Sequence, residues 1–380
     1  MIYFDNAATT LLKPPEVAEA VVRALGSFGG VGRGVHGASL DAGMTVFSAR
    51  QKVSNLLGGP GPKRVAFGLN ATEALNVAIC GLLQHGDHAV TTAASHNSVL
   101  RPLFRFEDAG DASVTVVPIA RDGSLDYDAF EAAFEPRTRL AAVTHASNLT
   151  GDVYDIGLMA EIAHAHGALL VVDAAQTAGV IPISMETQHL DVVCFTGHKS
   201  LFGPQGTGGL CVAEGVDVAP LKVGGSGTHS YDREHPSFMP ERLEAGTLNG
   251  HGIAGLLAGL AYIEGKGVST IHAETLALAH RFEEGVRVVD GVNVYGGGGM
   301  DRTGIVALNI ADTDSALVAD LLNTAYGICT RAGAHCAPLM HEALGTDMQG
   351  AVRFSFSHLN TEDEVDQGIR AIAELAKDLA

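Results

Sequence analysis

The sequence predicts an α/β fold: a mostly parallel sheet covered by helices, joined to a smaller α+β domain at the C-terminal end. Three observations carry this. Short apolar runs alternate with amphipathic stretches from about residue 60 to 215, as buried parallel strands separated by helices do. Beyond about residue 255 the pattern changes to a long helical stretch, a glycine cluster and a strand followed by a helix. A chain of 380 residues also exceeds what one hydrophobic core usually organises. The expected division is a large domain over residues 16–255 and a small domain built from residues 1–15 and 256–380.

Taken in chain order, Pro14 to Leu25 reads as a helix opened by the Pro14-Pro15 pair, followed by a glycine-rich loop from Gly29 to Gly37. That loop holds a G-x-G-x-x-G at Gly32, Gly34 and Gly37. It follows a helix rather than a strand, so the dinucleotide reading fails its own context. The run ending at Lys63 likewise lacks the close of a phosphate-binding P-loop. Strand candidates are Val90 to Thr92, Val114 to Ile119, Leu140 to Thr144, Ala168 to Val172, Val192 to Phe195 and Gly209 to Val212. Ile156 to His166 is one of the helical segments between them. Farther on, Gly296 to Gly299 precedes a strand-like Ile305 to Ile310 and a helix-like Ser315 to Tyr326. The last helix, residues 362–379, follows the start signal Asn360-Thr361.

Composition narrows the function. Hydrophobic residues make up 46% of the chain and glycine fills 47 positions, which argues against disorder. Lys plus Arg number 24 against 43 Asp plus Glu, a formal charge of −19, so phosphate backbones and anionic lipid are disfavoured partners. The five cysteines, Cys80, Cys194, Cys211, Cys329 and Cys336, are scattered without C-x-x-C spacing, which suits a reducing cytoplasm. The start MIYFDNAATT lacks the features of a signal peptide, and no apolar run is long enough to cross a bilayer. The N-x-T triplets at Asn70 and Asn148 are therefore discounted as glycosylation sites.

Polar residues cluster at the C-terminal ends of the strand candidates, the edge where open α/β sheets bind ligands. Thr72, His96, Asn148, Asp173 and Lys199 can thus converge on one crevice. Lys199, in Phe195-Thr196-Gly197-His198-Lys199, stands just past a buried strand. Desolvation lowers an amine's pKa, and an uncharged amine can form an imine with an aldehyde; a surface lysine in a turn is the plain alternative. Asp173 ends the apolar run Leu169-Leu170-Val171-Val172, where a carboxylate can keep a pyridine nitrogen protonated or simply cap a helix. Asn70-Ala71-Thr72-Glu73 resembles a helix start, whose free N–H groups favour an anion such as phosphate. His96 can lie flat on an aromatic ring or be an ordinary satisfied histidine.

The ordered set resembles the class V aminotransferase family of fold-type I pyridoxal-phosphate enzymes, which includes cysteine desulfurases and selenocysteine lyases. It runs from Tyr3-Phe4-Asp5-Asn6-Ala7-Ala8-Thr9-Thr10 through Arg33-Gly34-Val35-His36, Asn148, Asp173, Gln176 and His198-Lys199 to Glu244-Ala245-Gly246-Thr247. The resemblance implies pyridoxal 5′-phosphate as cofactor, held by Lys199 as a Schiff base. Asp173 is expected at the pyridine nitrogen, Gln176 and Asn148 near the phenolic oxygen, and His96 on the ring. Ala71, Thr72, Thr196 and His198 are expected around the phosphate. A threonine matching Thr247 reaches the neighbouring subunit's phosphate in this family, which implies a homodimer.

Arg331-Ala332-Gly333-Ala334-His335-Cys336-Ala337 looks like the catalytic-cysteine loop of the group II desulfurases. The implied reaction is removal of sulfur from L-cysteine, giving alanine and a persulfide on Cys336 that passes to an acceptor protein or thiol. Sulfur transfer needs a thiolate, which a neighbouring histidine or cofactor group helps to form; for the other four cysteines the reading is small buried hydrophobes. Arg353, in the strand-like Ala351 to Phe356, is expected to grip the substrate carboxylate bidentately, against the alternative of an internal salt bridge. Arg331 and His36 complete the expected substrate contacts, with Asn148. L-selenocysteine as substrate, or transamination, are the near alternatives. The distant one is a metal-binding or sulfur-carrier protein using His335, Cys336 and His341, whose spacing matches no common zinc pattern. The chain departs from group II in two places: Ser200-Leu201-Phe202 adds a residue after Lys199, and Ala332 stands where threonine is common.

Overall fold

The computed structural model describes residues 1–32 and 34–379. Eleven helices are named here: α1 (Pro15–Ser27), α2 (Gly37–Leu56), α3 (Ala71–Leu82), α4 (Asn97–Asp108), α5 (Tyr127–Ala132), α6 (Ile156–Ala165), α7 (Gly250–Lys266), α8 (Val268–Arg287), α9 (Ser315–Tyr326), α10 (Pro338–Leu344) and α11 (Glu362–Leu379). The central sheet has seven strands: β1 (Val65–Gly68), β2 (Asp87–Thr92), β3 (Ala112–Val117), β4 (Thr138–Thr144), β5 (Leu169–Asp173), β6 (Val192–Thr196) and β7 (Gly208–Val212). A second sheet holds β8 (Val292–Tyr295), β9 (Ile305–Ile310), β10 (Arg331–Gly333) and β11 (Ala351–Ser355).

The spatial order of the central sheet is β1-β7-β6-β5-β4-β2-β3. All neighbours are parallel except β7, which runs antiparallel to both β1 and β6. Helices on both faces explain why β5 and β6 read as continuous apolar runs: Leu170 to Val172 and Val192 to Phe195 are all buried. The sheet thus has the mostly parallel, helix-covered form expected. The expected strand from Val114 to Ile119 is shifted: β3 spans Ala112–Val117, and Ile119 makes only an isolated bridge to Leu125.

Two segments depart from the sequence pattern. α2 had no helical expectation, because Gly37, Ser39, Gly43, Thr45, Ser48 and Ser54 are weak helix formers; it is held by packing against α7. The long helical stretch is two helices, broken at Gly267, whose φ of 87° suits glycine.

The second sheet is antiparallel, ordered β8-β9-β11-β10. It shares a core with the chain's first residues: Ile2 and Phe4 pack in one cluster with Phe282, Phe354 and Phe356. Ile2–Tyr3 also pairs in parallel with Ile328–Cys329. α11 starts on a reciprocal cap, Glu364 N donating to Thr361 Oγ1 and Thr361 N donating to Glu364 Oε2. The N-terminus therefore crosses from this sheet to the rim of the central one, carrying Asp5 to Lys13 past the site.

Candidate active site

β5 and β6 are adjacent and parallel, so their C-terminal ends deliver Asp173 and Thr196 to one rim. The turn beyond β6 is tight. Gly197 N donates to Thr207 O at 2.8 Å, and a Cβ on Gly197 would lie 2.0 Å from Thr207 Oγ1, so only glycine fits. Phe202 N closes back on Lys199 O at 2.9 Å and Gly203 N on Gly197 O at 2.7 Å. Phe202 has φ 56°, a left-handed conformation within the Ser200-Leu201-Phe202 stretch that carries the extra residue. The N-terminal motif grips this turn from outside, with Thr10 Oγ1 donating to Lys199 O at 2.6 Å.

Two helix starts face the same rim. Asn70 caps α3, its Oδ1 accepting from Glu73 N at 2.9 Å. His96 caps α4 through Nδ1, which accepts from Ser98 N at 3.0 Å and shares a 2.9 Å contact with Ser98 Oγ, leaving Nε2 uncommitted. Thr72 Oγ1 and Ser98 Oγ, 2.8 Å apart, tie the two starts together.

The result is a cavity of about 450 Å³ whose walls include Ala71, Thr72, His96, Asn148, Asp173, Gln176, Thr196, His198 and Lys199. Nine residues singled out from the sequence are thus brought together. Burial lowers the Lys199 amine to about 8; Asp173 opposes this, while Arg353 and Arg331 reinforce it. Burial raises the Asp173 carboxyl, against the pull of the Ala175 N–H and Lys199. His96 and His198 are each held down to about 4, by burial first and by nearby cations second, so both rings are neutral at neutral pH.

The cysteine loop closes the opposite side. After β10, His335 and Cys336 both adopt left-handed backbone, φ 51° and 56°, a costly conformation for residues with a Cβ. Each carbonyl is clasped by the cavity rim: Asn148 Nδ2 donates to His335 O at 2.7 Å and Asn97 N donates to Cys336 O at 2.8 Å. The His335 ring is buried and stacks on His341, with Nδ1 and Nε2 3.5 Å apart. His341 Nδ1 in turn meets Thr346 Oγ1 at 2.8 Å. These parallel rings share a hydrogen bond instead of converging on a point, and no metal-holding group of three or more His, Cys, Asp or Glu occurs among the described residues. Cys336 is half-buried. Cys194 and Cys211 are buried, and burial pushes both thiols up, Cys211 to about 12.

Arg353 is 1% exposed and already engaged. Its Nη2 pairs with Asp5 Oδ1 at 2.9 Å and its Nη1 donates to Asn148 O at 2.8 Å, leaving Nε buried without a partner among the described residues. The internal salt bridge, the alternative reading of Arg353 from sequence, is therefore present. The half-buried Arg331 guanidinium makes no hydrogen bond or ion pair among the described residues and acts on both Lys199 and Arg353 by charge.

Two expected residues stay outside this cavity. His36 is exposed at the start of α2, its Nε2 turned to Ser39 Oγ at 3.2 Å. Thr247 is exposed as well. Arg33, in the same motif as His36, lies outside the described residues. Conversely, Asp5, Asn97 and Thr346 organise the site without having been singled out, and His341, named from the sequence only as a candidate metal ligand, instead supports the His335 ring. Asp5 lies inside the Tyr3 to Thr10 motif and Asn97 directly follows His96; His341 and Thr346 act through a fold-dependent contact that has no local signature.

Comparison with known proteins agrees with this geometry. The aminotransferase class-V family model matches residues 2–367. The chain belongs to the class-V aminotransferase family. A probable cysteine desulfurase of Methanothermobacter thermautotrophicus is 33% identical over 99% of this chain and 94% of its own. The apo structure of a cysteine desulfurase from Thermococcus onnurineus superposes with a TM-score of 0.93 at 34% identity, covering 100% of this chain and 95% of that one. The Escherichia coli cysteine desulfurase CsdA, in an S-sulfonic acid form, gives 0.88 at 29% identity over 99% and 94%.

As a member of this family the class-V chain is a pyridoxal 5′-phosphate enzyme of fold-type I. Its cavity fits that group on its own evidence. Asn148 Oδ1, Thr196 Oγ1 and His198 Nδ1 are buried polar atoms with no partner among the described residues, and all three belong to cavity-lining side chains. Such atoms are costly unless a ligand satisfies them. Together with the free end of α3 they present donors and acceptors to a phosphorylated, oxygen-bearing ring.

Proposed function

We propose that this chain is a cysteine desulfurase that takes sulfur from L-cysteine onto Cys336 and releases L-alanine. The observation that carries the reading is the apposition of a lysine-and-aspartate cavity to a strained cysteine loop, clasped to its rim through Asn148 and Asn97. When bound, pyridoxal phosphate supplies an aldehyde for the substrate's amino group and an electron sink for charge developing at Cα.

The chain's own residues do the rest. Lys199 brings an amine close to neutrality at its lowered pKa, able to hold the aldehyde and then to take the Cα proton. Asp173 keeps a proton at the ring nitrogen, with Gln176 and Asn148 beside the phenolic oxygen. Ala71, Thr72, Thr196 and His198 hold the phosphate. His96, neutral and with Nδ1 engaged by Ser98, would help to hold the ring and to move a proton. Arg331, uncommitted, and the spare Nε of Arg353 receive the substrate carboxylate. The Cys336 thiolate attacks the substrate sulfur: an S–S bond forms as the Cβ–S bond breaks, the electron pair left at Cβ takes a proton, and Lys199 returns a proton to Cα to complete alanine.

The acceptor has to come to the loop. Cys336 is half-buried between two clasped carbonyls and only three residues past Gly333, the end of β10, so the persulfide cannot swing far, and a free thiol or a slender protein segment must enter. We also read the chain as a homodimer. The α2 face and the segment around residues 223–238 expose Val35, Met44, Phe47, Val223, Tyr231 and Phe238, an apolar area that a second copy would bury, and Thr247 and His36 then reach the partner's site. The two bodies of the enzyme are residues 16–255 and residues 1–15 with 256–380. No helix among the described residues is long and apolar enough to cross a membrane, and the working compartment is taken to be the cytoplasm.

The test is a visible spectrum of the purified protein, then anaerobic L-cysteine with sulfide and alanine measured together. A yellow protein yielding both products supports the reading. The Cys336→Ala variant should keep the colour and lose sulfide release; unimpaired turnover by that variant would remove Cys336 as nucleophile. L-selenocysteine as the second substrate distinguishes a lyase for selenium.

A further inference from the structure

Lys13 is the odd cation beside the site. Its ammonium is half-buried, and its partners are neutral: Thr10 Oγ1 at 3.4 Å and the His198 carbonyl oxygen at 3.3 Å. No charged group among the described residues is found acting on it, and burial alone lowers its amine to about 8. It also precedes Pro14 and Pro15 at the N-terminal end of α1, where the helix dipole repels a cation. A desolvated charge without a counter-charge is unfavourable, so its retention calls for an anion elsewhere.

The opposite imbalance lies on the other side of His198. The cavity wall that faces a phosphate, from Thr72 to Thr196 and His198, offers hydroxyls, helix N–H groups and a neutral imidazole, with no formal positive charge. The one cation in that lining is Lys199, whose amine is the attachment point for the aldehyde. A bound phosphate ester brings roughly −1.5 to −2 charges. Resting on the pyridoxal-phosphate reading above, we infer that Lys13 is the counter-charge for the cofactor's phosphate, acting through His198 as a positioning residue rather than by direct contact.

The linkage is physical. The His198 carbonyl is held by the N-terminal strap: Thr9 Oγ1 donates at 3.1 Å, Thr10 N at 3.1 Å and Lys13 Nζ at 3.3 Å, with the Thr10 hydroxyl, shared with Lys199 O, 3.0 Å away. The residue between Lys13 and the cavity is thereby fixed. The charge on Lys13 already reaches the imidazole, helping with Lys199 to hold it at about 4, so His198 meets the phosphate as a neutral donor while the cation stands behind it.

The test separates phosphate from ring. Full-length protein stripped of cofactor is titrated with pyridoxal phosphate and with pyridoxal, which lacks the phosphate, following the visible band in wild type, Lys13→Met and Lys13→Arg. The expected result is roughly tenfold weaker pyridoxal-phosphate binding in Lys13→Met, the size of a partly screened charge interaction. Pyridoxal binding should be unchanged, and Lys13→Arg should retain the wild-type preference. Equal weakening for both ligands would reduce Lys13 to packing of the strap, and unchanged pyridoxal-phosphate affinity would remove it as a counter-charge; either overturns the inference. Wild type that takes up neither ligand would overturn the cofactor reading along with it.

Discussion

The two walls of the active site are built on opposite principles. The sheet-edge wall, from Thr72 to Lys199, leaves buried polar atoms open: Asn148 Oδ1, Thr196 Oγ1 and His198 Nδ1 have no partner among the described residues. The cysteine wall is almost saturated from within. Arg353 pairs with Asp5, both loop carbonyls are clasped, and His335, His341 and Thr346 form a closed relay. One wall is a cradle whose energy is completed by a ligand; the other holds a reactive side chain on strained backbone by internal contacts. Substitutions on the first should therefore act on ligand affinity, and those on the second on stability and on the placing of Cys336.

The sharpest test of that contrast is the Arg353–Asp5 pair. With Arg353 1% exposed and its Nε already unpartnered, Asp5→Ala leaves a buried guanidinium uncompensated and should cost about 3 kcal/mol of stability. An Asp5→Ala/Arg353→Met double variant should recover most of that loss, because the buried charge is gone as well. Denaturant midpoints of wild type, Asp5→Ala, Arg353→Met and the double variant measure it. A double variant no better than Asp5→Ala would mean that the pair is not coupled as drawn.

On the cradle side, the Lys199 amine is lowered to about 8, and only its neutral form attacks an aldehyde. The neutral fraction rises with pH through that value. Attachment of pyridoxal phosphate to cofactor-free protein should therefore accelerate by roughly 100-fold between pH 6 and pH 9 and then level, as the titration of a single group requires. Stopped-flow absorbance reads this directly, and a rise that continues to the ordinary lysine range would show that burial does not tune Lys199.

A smaller effect belongs to the relay. His341→Phe preserves the stack but leaves His335 Nδ1 buried without its 3.5 Å partner, a cost of about 1–2 kcal/mol. The loop should loosen, so alkylation of Cys336 by iodoacetamide should change in rate while the cofactor spectrum stays constant. A shifted spectrum would mean that the two walls are not independent.

The same contrast explains what the sequence disclosed. The cradle was legible because its residues end a strand, follow one within a few residues, or open a helix. Apolar runs terminating in Asp173 and Thr196, and the cap at Asn70, place their side chains on one edge by topology alone. The cysteine wall was legible in Cys336, Arg331 and Arg353 but not in the contacts that support them. Its supports join residues far apart in the chain, as Asn148 does with His335 and Asp5 with Arg353, and nothing local marks such pairs. Helix α2 escaped notice for a related reason: its Gly, Ser and Thr content speaks against a helix, and packing on α7 decides otherwise. Arg353 shows the limit most clearly, since salt bridge and substrate clamp look alike until Asp5 is seen beside it.

The smallest expected effect is on the cradle, at Thr196. Its hydroxyl is buried and unpartnered, so the folded protein gains nothing from it by itself and bears a desolvation cost. Thr196→Val replaces that hydroxyl with a methyl of similar size. Stability of the cofactor-free protein should hold or rise slightly, while pyridoxal-phosphate affinity should fall by about fivefold, the net worth of one ordinary hydrogen bond. Opposite signs in the two measurements are what a ligand-completed wall requires. If Thr196→Val instead destabilised the cofactor-free protein and left affinity alone, the hydroxyl would be serving the fold, and the division between a cradle and a self-sufficient cysteine wall would fail at its most open point.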